Sequence, residues 1–250
     1  MKATIAALAC LAGLSAPAAA QYGGSAPAPP PRVEVPRNES AQRAQPVAAA
    51  ESELRSGVEC LLGRDAASFD RLFATAPFSN AERREAQRLL PLIQRCRRSE
   101  DGLSASAIML RGTAAELLIR RQFASPATAR APALGPAPLL RPDQARTPAE
   151  ATALAPTYAI AECTAATRQD LLRTYLATEA SSEAEQAAFR ALQPGMIACV
   201  PPGGIRQLGV DGPSMRRILA ESLYRWSSVQ RDGPASPFAA APATAQAAAQ

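Results

Sequence analysis

Histidine is absent from the 250 residues, and lysine occurs once, as Lys2. The side chains that most often carry general acid–base catalysis, Schiff-base chemistry or zinc ligation are therefore missing. Arginine stays protonated and cannot take their place. Aromatic residues make up 4% of the chain, too few for a base-stacking surface. No CxxC occurs, which argues against a thioredoxin-like site and a zinc ribbon. No apolar run approaches the roughly 20 residues that a membrane-spanning helix needs.

What is present begins with an address. Residues 1–20 carry one charge, an apolar stretch from Ala3 to Leu14 and a run of small residues up to Ala20. These are the three parts of a secretory signal peptide, with cleavage expected after Ala20, or alternatively after Ala18. Cys10 follows too short an apolar stretch to match a lipid-carrying cysteine well, and otherwise leaves with the signal. The expected location is periplasmic or secreted. The chain is +5, and the processed form, losing only Lys2, is about +4. Acids are interleaved with the arginines, so nucleic acid is not an expected partner.

Four cysteines remain: Cys60, Cys96, Cys163 and Cys199. An even number in an oxidising compartment reads as two disulfides. Cys60 and Cys96 are 36 positions apart, and so are Cys163 and Cys199. Sliding the sequence by 103 then pairs Val58–Cys96 with Ala161–Cys199 without a gap. Matching pairs include Glu59/Glu162, Cys60/Cys163, Thr75/Thr178, Ser79/Ser182, Glu82/Glu185, Leu89/Leu192, Pro91/Pro194 and Cys96/Cys199. An insertion of two shifts the offset to 105, and Arg111/Arg216, Ala115/Ala220, Glu116/Glu221, Leu118/Leu223 and Arg120/Arg225 continue the match. Paired Cys, Pro, Ser-x-x-Glu and Arg-x4-Glu-x3-Arg in one order imply an internal duplication. Pairing within each copy is the simplest disulfide connectivity; the two cross-copy arrangements stay open.

The expected fold is all-α, with two tandem units of about four short helices. The units are 52–123 and 155–229, joined by a Pro/Ala-rich linker over 124–154 and flanked by disordered tails at 21–51 and 230–250. In the first unit, helices are expected over about Ser52–Leu62, Ala66–Thr75, from Ser79 onward, and Ser106–Gln122. In the second, Gly212–Ser227 is the counterpart of the last. Ser79…Glu82 and Ser182…Glu185 are capping boxes. Ala86, Leu89, Ile93 and Cys96 form one apolar face, as do Phe189, Leu192, Met196 and Cys199. Pro91 and Pro194 should kink or restart their helices.

Among functional candidates the repeated Arg-x4-Glu-x3-Arg leads: Arg111, Glu116 and Arg120, with Arg216, Glu221 and Arg225. It reads either as structural pairing along or between helices or as a partner-binding surface shown twice. Arginines at 83–84, 95–98 and 120–121 are mostly replaced in the second copy. Gly203-Gly204 lacks the context of a phosphate loop, and Tyr224 and Trp226 read as core or rim. No paired-carboxylate pattern occurs in both copies, so no catalytic, cofactor-binding or metal residue is assigned.

The order Cys163, Ala177-Thr178, Ser182…Glu185, Leu192…Pro194, Cys199, then Arg217…Ala220-Glu221-Ser222-Leu223-Tyr224-Arg225 resembles a set of exported bacterial proteins with a duplicated two-cysteine helical unit. The first copy departs from it with Leu118-Ile119. The resemblance implies the helical unit and brings no activity. The expected function is a binding or scaffold protein whose partner is another protein of the cell envelope. The alternatives are a hydrolase-type enzyme using Ser or Asp/Glu chemistry and a small-ligand or lipid carrier.

Overall fold

The computed structural model describes residues 39–97, 105–123, 135–200 and 210–239. The leader expected over 1–20, Cys10, Arg98 and Gly203-Gly204 lie outside them. Within these residues the chain forms eight α-helices and no strand. They are α1 (Glu39–Arg64), α2 (Ala67–Phe73), α3 (Asn80–Arg97), α4 (Ala107–Gln122), α5 (Pro148–Thr167), α6 (Gln169–Ala177), α7 (Glu183–Ala198) and α8 (Gly212–Asp232). None is long and apolar enough to cross a membrane.

Local chemistry explains most of the boundaries. Ser79 and Ser182 accept from the backbone N–H of Glu82 and Glu185, both at 3.0 Å. The two glutamates reach back to the N–H of Phe78 and Ser181, both at 2.6 Å. Each capping box thus satisfies two donors that the first helical turn leaves free. It also fixes a tight entry, because Phe78 and Ser181 both sit at φ 63°. Ser106 and Asp211 cap α4 and α8 in the simpler way. Cys60–Cys96 ties α1 to α3, and Cys163–Cys199 ties α5 to the end of α7, with Cα–Cα distances of 5.9 and 5.7 Å. Both connectivities are the within-unit ones.

α4 and α8 lie against each other at the centre and are buried from Leu110 to Ile119 and from Met215 to Arg225. They approach most closely at Gly112, where a Cβ would collide with the Cβ and Cα of Arg217. Glycine is required there for that approach. Around this pair, Leu54, Val58, Phe69, Leu72, Leu89 and Ile93 form the core on one side, and Ile160, Leu172, Leu176 and Leu192 on the other.

Four sequence expectations need correction. The tail expected over 21–51 gives way at Glu39, where α1 already begins. The linker expected over 124–154 is packed from Gly135 onward: Leu139, Leu140 and Ala145 are buried, and α5 starts at Pro148, whose ring suits a first helical turn. The tail expected from 230 is helical to Asp232 and then runs back over the protein, burying Ser236 and Phe238. Its Ala239 pairs with Pro136, and Phe238 O accepts from Ala137 N at 2.8 Å. Finally, Pro91 and Pro194 stand inside continuous helices, so neither helix restarts there. The missing donor at each proline is a local loss that packing offsets.

Candidate functional site

The Arg-x4-Glu-x3-Arg residues are brought together, and mostly inside. Arg111 on α4 pairs with Glu221 on α8: Nε donates to Oε2 at 2.8 Å, and Nη2 makes a short contact to Oε1. Arg216 on α8 pairs with Glu116 on α4, Nε donating to Oε2 at 3.2 Å and Nη2 to Oε1 at 3.0 Å. Each copy therefore gives its arginine to the other copy's glutamate, through a bidentate pair. Because all four side chains are buried, this crossed pairing acts between the helices rather than on the surface.

Each arginine also closes the end of a short helix. Arg111 Nη1 donates to the carbonyls of Leu72, in the last turn of α2, and Thr75, just beyond it, at 2.8 and 3.1 Å. Arg216 Nη2 donates to those of Leu176, in the last turn of α6, and Thr178, just beyond it, at 3.0 and 2.9 Å. Helix C-termini leave carbonyls unpaired and carry partial negative charge, so a guanidinium suits them twice over. Arg111 lies over the Phe73 ring and Arg216 over the Tyr175 ring.

From here the two ends differ. Around Arg111 the site is closed. Glu82 and Tyr158 are buried beside it, Phe78 stacks edge-on against Tyr158, and Arg146 N–H donates to Phe78 O at 2.8 Å. Arg225 is buried under Phe238, 5.3 Å from its ring centre. Burial pushes the Glu82 carboxyl above its ordinary value, against the pull of Arg111. Burial does the same to Glu162, whose Oε1 accepts from Leu139 N.

Around Arg216 a cleft of about 610 Å³ opens between α1, α4, α8 and the turn from α6 to α7. Its wall carries Arg55, Arg120, Arg216 and Arg217, with Glu51, Glu116, Glu179 and Glu185, and the aromatic pair Tyr175 and Phe189. Arg217 is paired with Glu51 at 2.8 Å and hydrogen-bonds Thr113. Arg216 adds Glu185 at 2.7 Å. Glu116 Oε1 takes three guanidiniums at once: Arg55 at 2.9 Å, Arg216 at 3.0 Å and Arg120 at 3.1 Å. Burial alone would raise the Glu116 carboxyl, but the hydrogen bonds and charges of Arg216 and Arg55 outweigh it and hold it below the usual range. The Arg120 charge is disfavoured by burial and by Arg55 beside it. The Tyr175 hydroxyl is pushed up to about 12 by burial and by Glu185.

Sequence reasoning missed Arg55 and Glu51, and named Arg217 without giving it a role in a site. All three stand where the two copies disagree: Tyr158, Leu154 and Gly112 are their counterparts at the offsets that align everything else. The signal that could have found them was mismatch, not match. Among the described residues no group of three His, Cys, Asp or Glu side chains is placed to hold a metal ion. Tyr224 is buried among Phe73, Phe123 and Phe238, and Trp226 is half-buried against Gly135. Compared with protein-family models, curated proteins and solved structures, the chain matches none.

Proposed function

We propose that the chain is an exported binding protein made by duplicating one helical unit, in which one end of the crossed arginine–glutamate frame is closed and structural while the other, lined by both copies, is open and receives a ligand. The observation that carries this reading is the asymmetry of the crossed ion pairs. The same arginine–glutamate frame is covered at the Arg111 end and faces a cleft of about 610 Å³ at the Arg216 end. That volume falls in the range of small-molecule sites. The lining mixes charged side chains with apolar surface that includes Tyr175 and Phe189, and the charges suit a small ligand with a polar group better than a lipid. The closed end and the two disulfides keep the open wall rigid, and a rigid wall lowers the entropic cost of binding. The disulfides also suit an oxidising compartment.

A binding role fits this cleft better than catalysis. A general acid at neutral pH needs a carboxyl with a raised pKa. The carboxyls raised by burial, Glu82 and Glu162, stand outside the cleft lining, whereas Glu116 within it is held in its charged form.

The test uses the oxidised chain, the small-molecule fraction of an envelope extract, and thermal shift with native mass spectrometry as readouts. Ala180→Trp, on the exposed turn, fills the cleft without touching the core. A mass adduct and stabilisation with the native chain, both lost in A180W, support the reading. No adduct, or an adduct retained in A180W, overturns it.

A further inference from the structure

Resting on the reading of the cleft as a binding site, we infer that its ligand is a small molecule carrying one oxyanion group, a carboxylate or a phosphate, received by Arg55 and Arg120. The donors on this wall outnumber their acceptors. Arg216 has both Glu116 and Glu185, and Arg217 has Glu51. For Arg55 and Arg120, Glu116 is the one carboxylate within ion-pair distance among the described residues, and they reach the same oxygen of it. That oxygen is already taken by Arg216. Arg55 uses Nη1 on Glu116. Arg120 uses Nη2 on Glu116 and on the carbonyls of Leu176 and Thr178. The remaining N–H groups of both forks are left for another acceptor, since a guanidinium has five donors.

Exposure places those donors where a ligand can reach them. The Arg55 and Arg120 side chains are 35% and 40% exposed, against 4% for Arg216. Guanidinium forks match carboxylate and phosphate geometry, and partial burial strengthens such a contact. Three guanidiniums meet on one carboxylate oxygen at this end. Where the open end has Arg55, the closed end has Tyr158, and where it has Arg120, the closed end has Arg225 sealed beneath Phe238. The four glutamates of the lining balance its four arginines, which argues for a single oxyanion rather than a polyanion.

The experiment is calorimetric titration of the oxidised chain at constant ionic strength with three probes: succinate, inorganic phosphate, and the neutral diol 1,4-butanediol. Saturable binding of succinate or phosphate at least tenfold tighter than the diol supports the inference, and which of the two binds tells a carboxylate site from a phosphate site. The affinity should fall at least tenfold in Arg55→Gln and in Arg120→Gln. Arg83→Gln, exposed on α3, should leave it unchanged. R55Q keeps the proposal testable if R120Q misfolds, because Arg55 holds no helix end. Anion binding that persists in R55Q, or no binding of either anion, overturns the inference. If the diol binds and A180W abolishes it, the oxyanion is wrong while the cleft remains a binding site. An extract ligand lost in A180W but carrying no acid group separates the two readings in the same way.

Discussion

The two ends of this molecule are built from the same parts and finished differently. At both, an arginine from the central helix of one copy closes a short helix of that copy and pairs with a glutamate of the other. At the Arg111 end the neighbours are apolar or sealed: Leu154, Tyr158, Phe78, and a strap formed by residues 135–147 and 233–239. At the Arg216 end their aligned counterparts are Glu51, Arg55 and Ser181, and the cleft is left uncovered. The equivalent capping-box glutamates record the difference, with side-chain exposures of 6% for Glu82 and 17% for Glu185. The two ends share one arginine–glutamate frame, and only one of them must be filled to hold the fold. The other can be opened at the cost of extra charge pairing, which is the role of the three arginines around Glu116.

The comparison makes its largest prediction at the paired arginines. Arg111→Met leaves Glu221 and Glu82 buried without their cation, and breaking a buried pair this way costs about 3–5 kcal/mol. Arg216→Met leaves Glu116 still paired with Arg55 and Arg120 beside an open cleft, so the cost there should be about 1–3 kcal/mol. Urea unfolding of the two variants measures both, and equal losses would show that the ends are energetically alike. Next is the strap. Phe238→Ala removes a ring packed against Phe73, Tyr224 and Arg225, and buried phenylalanine truncations cost about 3 kcal/mol or more. It should also raise the exchange rate of the Ala137 amide, which hydrogen exchange can follow. Unchanged stability and protection would mean that the strap does not seal the closed end.

How much of this was legible beforehand divides along the same line. The capping boxes, the apolar faces of α3 and α7, and the cysteine spacing were readable because each is a local pattern with one physical cause. The strap was not. Its residues, from Gly135 to Thr147 and Gly233 to Ala239, have the Ala, Pro and Gly texture of a linker. What orders them is distant: Leu139 against Glu162, Arg146 against Phe78, Phe238 against Tyr224. The start of α5 was hidden for a related reason, since an alanine-rich helix shows little polar–apolar contrast. Of the site, the six repeated Arg and Glu positions were visible, but their crossing from copy to copy was not. An i,i+4 pair within one helix and a partner on another helix look the same in sequence.

Smaller in effect is the helix crossing. Gly112 and Arg217 are aligned positions of the two copies that face each other, so a side chain at both would overfill the contact. Gly112→Ala should cost about 1–3 kcal/mol through overpacking, despite alanine's better helix propensity. A gain in thermal midpoint would show that α4 and α8 can move apart.

The finest distinction is one of sign with pH. At the open end the folded Glu116 carboxyl is held below its ordinary 4.5, so its contribution is present above that value and is lost as pH falls through the folded one. At the closed end burial holds the Glu162 carboxyl above 4.5, so the native chain carries no ionisation penalty below that value and acquires one as pH rises through the folded value. Glutamine does not titrate, and at 162 its side-chain carbonyl can still accept from Leu139 N. Glu116→Gln should therefore be clearly destabilised at pH 7, with the deficit shrinking as pH drops below about 4.5. Glu162→Gln should move the other way, gaining on the native chain as pH rises from 4 to 7. Chemical unfolding of the three proteins across that interval gives two difference curves. Opposite slopes place a carboxylate stabilised by its charge at the open end and one burdened by its charge at the closed end. Parallel slopes would mean that both ends hold their acids alike, and the asymmetry would then be one of shape alone.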